Sequence, residues 1–535
     1  MRSTALIALI AFWLAIGVSD PALAAVIHPV FESGAVVPPP ADSENPSDVL
    51  DRIVFANLNT LGLKPANLSS DAVFLRRTYL VTIGTLPRED EAVDFLESQD
   101  KAKRTLLIER LLARPEYADY WAMKWADVLR VKAEFPIKLW PNAVQIYHQW
   151  IHASVRDNKP FHQFTQELLV GSGSNFREGQ VNFYRAMQDR SPRGMAATVA
   201  LTFMGERAEK WPTRRLDAMA GFFANVAFKS TAEWKEEIVY FDPTADKDGL
   251  HKQAIFPDGT PATLDPGKSD PRLIFAQWLL RPENTSFSRV AANRIWTWLM
   301  GRGVVNEPDD FRPDNPPSNP ELLAFLEREF IRSRCDVKHL IRVILNSRTF
   351  QLSSIPSQDS TEIPAMHFAH YPLRRIEAEV LIDALNQITE TKEAYSSPIP
   401  EPFTFIPEDV RGIALPDGSI TSSFLELFGR PPRDTGYQSE RSLETNPAQR
   451  LHMLNSSHVQ KKIEACPLVV DATTDEAGLP GLIEKLYLTV LSRTPTAEEL
   501  AALKSHADST NASGRAFASD LVWSLVNQPE FLFNH

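Results

Sequence analysis

The chain has 535 residues, of which 43% are hydrophobic and 23% are charged, and its formal net charge is -12. This is the composition of a globular protein, but the length exceeds the roughly 250 to 300 residues at which one hydrophobic core stops growing, so we expect more than one domain. The acidic balance and the lack of a basic block exclude nucleic acid and anionic lipid as the main partners.

The first residues have the layout of a secretory signal peptide. Arg2 precedes an apolar run from Ala5 to Val18, and a small-residue cleavage site ends at Ala24. We expect residues 1–24 to be removed and the mature protein to be exported, periplasmic or extracellular, without a membrane span. Residues 25–47 contain three consecutive prolines and are predicted to form a flexible linker.

From residue 48 onward, apolar residues recur at helical spacing. This pattern predicts a first helical domain over residues 48–234. One of its helices carries a thick aromatic stripe with Trp121 and Trp125, which is typical of a buried helix face. The helices predicted in this half cover residues 71–82, 89–97, 102–113, 117–130, 141–157 and 161–170.

A connection follows at residues 235–270, where Pro, Asp and Gly dominate and the short apolar runs indicate a small hairpin. Helical spacing resumes at Pro271 and predicts a second helical domain over residues 271–535. The expected fold class is mainly α, with two helical halves joined by this Pro/Asp/Gly-rich connection with short strands. Helices predicted in the second half include 271–280, 374–389, 482–491 and 514–526.

Five separated motifs carry a resemblance that covers nearly the whole mature chain. They are FLRRTYLVTIGTLPREDEAVDFL at Phe74, SRVAANRIWTWLMGRGVV at Ser288, YPLRRIEAEVLIDAL at Tyr371, FLELFGRPPRDTGYQSER at Phe424 and WSLVNQPEFLFNH at Trp523. The chain resembles exported, planctomycete-type proteins built from two paired domains of unknown function, which are often fused to a cytochrome c domain. The resemblance implies a fold and an export route, and it implies no known reaction.

The chain departs from these relatives at two thiol motifs. Where they commonly carry CxxCH, the segment Phe203 to Pro212 has neither Cys nor His, and where they often carry CxCER, residues Tyr437 to Arg441 read YQSER. Since CxxCH is absent throughout, the sequence excludes covalently attached c-type haem. We hypothesise that the two motifs form one redox or metal centre in relatives and that this chain has lost it. The hypothesis requires Trp211 and Tyr437 to lie near each other.

Two cysteines and three histidines are the candidates for thiol or metal chemistry. Cys335 and Cys466 could pair in an oxidising compartment, and the sequence leaves this open. His148 and His152 lie four residues apart on a predicted helix, with His162 on the next, so these three are the candidate metal ligands. The peptide HQWIH lacks the glutamate of the HEXXH motif, and no cofactor is expected.

The strongest polar constellation combines arginines with glutamates around the FGRPPR motif. Because a buried guanidinium must be paired, Glu377 and Glu440 are the expected partners of Arg294 and Arg374. One interpretation is a structural ion-pair network that clamps the loop; the other is a pocket for a carboxylate, sulfate or phosphate group. The candidate residues are Arg294, Arg374, Arg375, Glu377, Arg430, Arg433, Glu440 and Arg441, beside Asn293 and Glu379.

Three function classes remain open at this point. A noncatalytic binding or scaffold protein without haem is favoured, because no nucleophile triad or cofactor motif is visible. The alternatives are a hydrolase or lyase that acts on an anionic polysaccharide through the Arg/Glu cluster, and a redox partner protein. The partners expected are cell-envelope proteins or anionic glycans. A filled, buried cluster favours the scaffold, and a concave pocket favours the enzyme.

Overall fold

A computed structural model describes residues 28–246, 248–357, 362–472, 478–510 and 514–535. The predicted signal peptide, residues 1–24, lies outside the described residues. Helices make up 53% of the structure, and strands form only small sheets, so the prediction of a mainly α protein is confirmed. Over the ranges described, no helix is long and apolar enough to cross a membrane.

The helices of the first half begin where the sequence supplies a cap. The side chain of Ser70 accepts a hydrogen bond from the backbone N–H of Val73, and proline occupies the first turn of four helices in this half. The helices are α1 Pro46–Thr60, α2 Asp71–Thr82, α3 Glu89–Glu97, α4 Lys103–Leu112, α5 Pro115–Val128, α6 Pro141–Arg156, α7 Phe161–Val170, α8 Asn182–Arg185, α9 Pro192–Val199 and α10 Thr213–Ala220. A π-helical turn, Ala200–Met204, continues α9.

Three small sheets accompany the helices in the described part of the chain. The hairpin differs from the one predicted within residues 235–270, because its first strand, β4, comes from the predicted first domain: β4 pairs antiparallel with β5, and β3 joins the other edge of β5. The strands are β1 Glu32–Gly34, β2 Leu68–Ser69, β3 Gly173–Ser174, β4 Val226–Ser230, β5 Glu237–Phe241, β6 Arg374–Arg375 and β7 Phe533–Asn534.

Helix α12 of the second half is buried over most of its length. From Phe287 to Met300, every residue of α12 except Arg289 is buried, so this helix lies in the centre of the fold. The helices are α11 Pro271–Leu280, α12 Thr285–Met300, α13 Pro320–Arg332, α14 Val337–Asn346, α15 Glu362–Met366, α16 Ala378–Thr389, α17 Ser423–Leu427, α18 Pro447–Asn455, α19 Ser457–Ala465, α20 Pro467–Val470, α21 Leu479–Leu491, α22 Ala497–Thr510, α23 Arg515–Val526 and α24 Pro529–Leu532.

One continuous hydrophobic core runs through both halves. It extends from Leu50 to Phe531, and α12 packs into it beside α5. The Trp298 ring lies 5.7 Å from Trp121 and 5.0 Å from Trp125, measured between ring centroids. The aromatic stripe of α5 is therefore core, and the two helical halves share their interior.

Two other predicted segments differ in the structure. Residues 28–45, expected to belong to a flexible linker, are tied down: Phe31 is 7% exposed, and β1 pairs with β2. The helix predicted from residue 374 begins only at Ala378, because Arg374 and Arg375 form β6 and pair with β7 near the end of the chain. This pairing is tertiary, so local spacing could not reveal it.

Candidate functional site

Three segments bring charged side chains together inside the protein. They are helix α5, the start of α16 and the loop that runs from residue 411 to residue 441. Helix α5 contributes Lys124 and Asp127, which lie three residues apart and so share one helix face. We use the term buried charge network for the side chains of Lys124, Asp127, Arg375, Glu377, Glu379, Arg430, Arg433 and Arg441.

Arg441 lies at the centre of the network. Its two terminal nitrogens donate to the two carboxylate oxygens of Glu379, at 2.6 and 3.0 Å. Its Nε and Nη2 also donate to Oδ2 of Asp127, at 3.2 and 2.7 Å. All three nitrogens of this guanidinium therefore have carboxylate partners within the chain.

Asp127 joins a second arginine to the network. Its Oδ1 accepts a hydrogen bond from Nε of Arg433 at 2.8 Å, while Nη1 of Arg433 donates to the carbonyl of Pro416 at 3.0 Å. The Arg433 side chain is 1% exposed, and its backbone has a φ of 60°. Arg433, itself a residue of the loop, thus connects the loop carbonyl of Pro416 to Asp127 of α5.

The two other arginines bind backbone carbonyls. Arg430 donates to the carbonyls of Ile420 and Asp417, and its Nε lies 3.5 Å from Oε1 of Glu379. Arg375 donates to the carbonyls of Phe428, at 2.7 Å, and Ser442, at 2.8 Å. These acceptors all belong to the loop or its edges, so the arginines hold the path of the loop.

The electrostatics of Glu379 show how strongly the network is coupled. Burial by itself raises the pKa of this carboxyl, but the charge and hydrogen bonds of Arg441, aided by Arg430, outweigh burial and lower the pKa to about 2. Burial likewise disfavours the charged form of Arg441, yet Glu379 and Asp127 hold its pKa well above the usual value. Both groups are therefore charged over the whole physiological range.

Lys124 and Glu377 form a separate buried pair at the edge of the network. The ammonium is in direct contact with Oε1 of Glu377. Burial lowers the pKa of Lys124 to about 8, although Glu377 opposes this shift. Oε2 of Glu377 has no hydrogen-bond partner in the described structure.

The predicted partners of two arginines were wrong. Arg294 pairs with Asp309, at 2.8 Å, and Arg374 donates to the carbonyls of Trp298 and Leu299 instead of to a glutamate. Glu440 accepts hydrogen bonds from backbone N–H groups within its own loop. Arg294, Arg374 and Glu440 therefore lie outside the network, because they contact, respectively, Asp309, the last carbonyls of α12 and backbone N–H groups of the loop.

Lys124 and Asp127 are the network residues that the sequence analysis missed. The signal was present as two charged side chains inside an otherwise apolar stripe. Their partner arginines, however, follow about 300 residues later, at Arg433 and Arg441. A single sequence contains no information that connects positions so far apart.

The three candidate histidines do not converge on one point. His152 donates to or accepts from Asp119, with Nε2 and Oδ1 3.0 Å apart. His148 is buried without a partner for Nε2, and burial lowers its pKa to about 3. Among the residues described, no group of three or more His, Cys, Asp or Glu side chains is placed to hold a metal ion.

Both cysteines are free and buried. Burial raises the pKa of the Cys335 thiol to about 11 and also raises that of Cys466. Each thiol therefore behaves as a small apolar side chain that is protonated and unreactive at neutral pH.

The two segments that carry thiol motifs in relatives meet in this chain. The Tyr437 hydroxyl donates to Oε1 of Glu209 at 3.2 Å, and the Arg207 guanidinium lies 5.0 Å from the centre of the Tyr437 ring. Trp211 follows Glu209 by two residues and donates from Nε1 to Glu206 at 3.0 Å. The required proximity of these segments is thus present, with Glu, Arg and aromatic side chains in place of thiols.

Small pockets occur elsewhere in the fold. One lies between C-terminal helices, beside Tyr487 and Phe517, and another lies beside Trp125 and Phe164. Neither is lined by a residue of the buried charge network.

Comparison with protein families supports the resemblance found in the sequence. A family model described as Protein of unknown function (DUF1549) matches residues 49–226, and one described as Protein of unknown function (DUF1553) matches residues 271–507. The chain therefore belongs to the planctomycete-type proteins that pair these two domains. No curated protein and no solved structure matches it.

Proposed function

We propose that this chain is an exported, noncatalytic binding or scaffold protein that works without haem. The observation that carries the proposal is the pairing of Arg441 at the centre of the buried charge network. All three guanidinium nitrogens of Arg441 donate hydrogen bonds to Asp127 or Glu379. In an anion pocket, this guanidinium would be open to solvent. A saturated guanidinium has no free fork with which to bind a carboxylate or sulfate of a substrate.

The burial of the network supports the same conclusion. The side chains of Arg430, Arg433, Glu379 and Arg441 are all at most 4% exposed. A polysaccharide chain needs an open cleft in which acid and base carboxyls flank the bond to be cleaved. Glu377 and Glu379 instead face cations of the chain itself, so we assign them a structural role.

A redox role finds no support in the residues present. The chain lacks CxxCH, and Tyr437 with Glu209 stands where relatives carry thiols. The remaining thiols, Cys335 and Cys466, are buried and protonated. A binding or scaffold role requires neither group.

An assay for depolymerisation tests the proposal. The full mature chain is incubated with polygalacturonate, alginate and chondroitin sulfate, and new reducing ends and the ultraviolet absorbance of unsaturated products are followed. We expect no product above that of heat-inactivated protein. Turnover that Glu379→Gln abolishes while the far-ultraviolet circular dichroism spectrum is kept, and that the surface control Arg156→Ala preserves, would show an enzyme.

A further inference from the structure

Two histidines and a glutamate form a chain of hydrogen bonds between helices α18 and α19. Nε2 of His452 lies 3.3 Å from Nδ1 of His458, and Nε2 of His458 lies 2.8 Å from Oε2 of Glu393. His452 belongs to the last turn of α18, His458 to the first turn of α19, and Glu393 to the segment after α16. We use the term histidine relay for His452, His458 and Glu393.

The glutamate fixes where the hydrogens of the relay lie at neutral pH. Burial alone raises the pKa of Glu393, but contacts with His458 and Lys462 outweigh burial and lower it, so this carboxyl is ionised. An ionised carboxylate is an acceptor, so Nε2 of His458 carries the hydrogen and its Nδ1 is the acceptor. Nε2 of a neutral His452 therefore donates to Nδ1 of His458.

Helix α18, which carries one end of the relay, has few buried residues. Gln449 and Met453 are the buried ones among its nine. Gln449 donates to the carbonyl of Leu427 at 2.9 Å, and Trp523 and Asn527 donate to carbonyls of its last turn at 3.1 and 3.5 Å. A helix of this length is not stable on its own, since isolated helices need about 12 to 15 residues. Its position therefore depends on these contacts together with the relay.

The ring of His452 also packs on the aromatic side chains of α17. It lies 5.7 Å from the ring of Phe424 and 6.1 Å from that of Phe428, measured between centroids. Both phenylalanines are buried. Because α17 belongs to the loop from residue 411 to residue 441, His452 holds α18 against the loop that the buried charge network also holds.

Two charged side chains beside the imidazoles act on them in opposite directions. The carboxylate of Glu393 attracts positive charge to the relay, and the ammonium of Lys462, 3.2 Å from Oε2 of Glu393, opposes it. Asn386 of α16 and Trp523 of α23 also contact this region and are uncharged. The contact between the two imidazoles is therefore the part of the relay that acid can change.

This contact depends on how many protons the two rings carry. With one added proton the hydrogen bond persists, because one ring donates and the other still accepts. With two, both facing nitrogens carry hydrogens, and two positive charges oppose each other across the 3.3 Å contact. Burial, aided by the charge of His458, lowers the pKa of His452 from its usual 6.5, so the contact is intact above pH 6.5 and is lost in more acidic solution.

We propose that the histidine relay is a pH-sensitive latch, in which protonation of both imidazoles in acid separates His452 from His458 and releases α18 from α17. This device goes beyond the proposed binding or scaffold role and does not depend on it. The buried charge network takes no part, because Glu379, with a pKa of about 2, keeps its charge over the same range. The change is therefore local to α18 and its contacts.

Hydrogen–deuterium exchange of the full mature chain tests the latch. Peptides that cover residues 446–458 are followed by mass spectrometry at about pH 7 and about pH 5, with labelling times corrected for the intrinsic exchange rate. We expect local opening of this segment to be at least about tenfold more frequent at the lower pH. His452→Gln and His458→Gln should abolish that increase, because an amide can take the place of either neutral imidazole and does not titrate.

His339→Gln is the matched control. The His339 side chain is 31% exposed, as is that of His458, and it also pairs with a glutamate, Glu329, at 2.6 Å. His339 belongs to α14 and has no part in the relay. This variant should keep the full increase in exchange within residues 446–458. Far-ultraviolet circular dichroism at neutral pH should match wild type for all three variants, because the substituted side chains are partly exposed.

The outcomes that overturn the latch are distinct. Exchange in residues 446–458 that does not rise at about pH 5 overturns it, and so does a rise that either His452→Gln or His458→Gln retains. A rise of equal size in the peptides of α5 and α12 also overturns it, because that result reports loosening of the whole fold. Asp383 titrates in the same range, with a pKa of about 7, but its partners are the backbone N–H groups of Gly412 and Ile413, so its effect falls on other peptides.

Discussion

At the scale of single residues, Arg441 is buried in contact with carboxylates of opposite charge. Removing a charge from water costs several kcal/mol, and a buried pair recovers that cost only when its hydrogen bonds are complete. Arg441 meets this condition through Glu379 and Asp127. Loss of Arg441 would leave Glu379 with only Arg430, at 3.5 Å, as a nearby cation, and would leave Asp127 with only Arg433.

The pKa of Glu379 leads to a prediction about acid unfolding. The pKa is lowered in the folded state from 4.5 to about 2, so this group contributes stability that is fully present above pH 4.5 and is lost as the pH falls toward 2. The contribution is about 3 kcal/mol from the size of the shift. Urea unfolding at several pH values should show the free-energy difference between wild type and Glu379→Gln shrinking by about this amount across that window. A difference that does not change with pH would contradict the assignment.

Asp383 should behave with the opposite sign. Burial raises its pKa to about 7, although the backbone N–H groups of Gly412 and Ile413 oppose the shift. A raised acid pKa gives a contribution that is present below the unfolded value of 3.8 and is lost as the pH rises through about 7. Asp383→Asn, which cannot ionise, should therefore lose less stability than wild type between about pH 4 and about pH 7 when urea midpoints are compared. An equal or greater loss in the variant would show that Asp383 is already ionised at low pH.

At the scale of elements, the arginines fix a loop that has little regular structure. Between α16 and α18, the loop from residue 411 to residue 441 contains only one short α-helix and single 3₁₀ turns. Its carbonyls at Pro416, Asp417 and Ile420 are acceptors for Arg433 and Arg430. The side chains thus supply the hydrogen bonds that a helix or sheet would otherwise provide.

Limited proteolysis should reveal this clamp. Arg433→Met removes donors to Asp127 and Pro416, so we expect cleavage within residues 411–441 to become at least about tenfold faster, since local opening is easier by more than 1.4 kcal/mol. The cleavage sites can be mapped by mass spectrometry. Arg156→Ala, whose partner Asp157 is equally exposed, serves as the control and should leave the rate unchanged. Equal rates for Arg433→Met and wild type would show that the loop does not depend on this arginine.

Helices were predictable from sequence to within a few residues wherever apolar spacing and caps agreed. Asp71–Thr82, Glu89–Glu97 and Phe161–Val170 have the predicted bounds. The helix predicted to start at Arg374 starts later for a physical reason. Apolar spacing continues across YPLRRIEAEV, but Arg374 and Arg375 pair with β7 and form a strand. The arginine partners failed for a similar reason, since Asp309 and Asp127 reach them through tertiary packing.

At the scale of the whole molecule, two families of domain share one interior. Asp51 of α1 accepts hydrogen bonds from the backbone N–H groups of Arg348 and Thr349, at 2.7 and 2.9 Å. The ring of Trp298 packs against α5 at the same time. Neither half could keep its core intact if the other unfolded.

Equilibrium unfolding should therefore be a single event. We expect the urea transitions followed by tryptophan fluorescence and by far-ultraviolet circular dichroism to coincide. Asp51→Ala leaves buried donors without an acceptor and should lower the free energy of unfolding by about 2 kcal/mol. Both signals should report this change together. Two separated transitions, or a variant that shifts only one signal, would contradict a shared core.

The noncatalytic account depends on the buried charge network being structural. The most direct test is the free energy of unfolding of Arg441→Met relative to wild type at neutral pH. The account predicts a loss of about 3 to 5 kcal/mol, because Glu379 loses its hydrogen-bonded cation and keeps only Arg430 at 3.5 Å, while Asp127 keeps only Arg433. A loss below about 0.5 kcal/mol, as expected for a side chain that solvent or a ligand can reach, would contradict it.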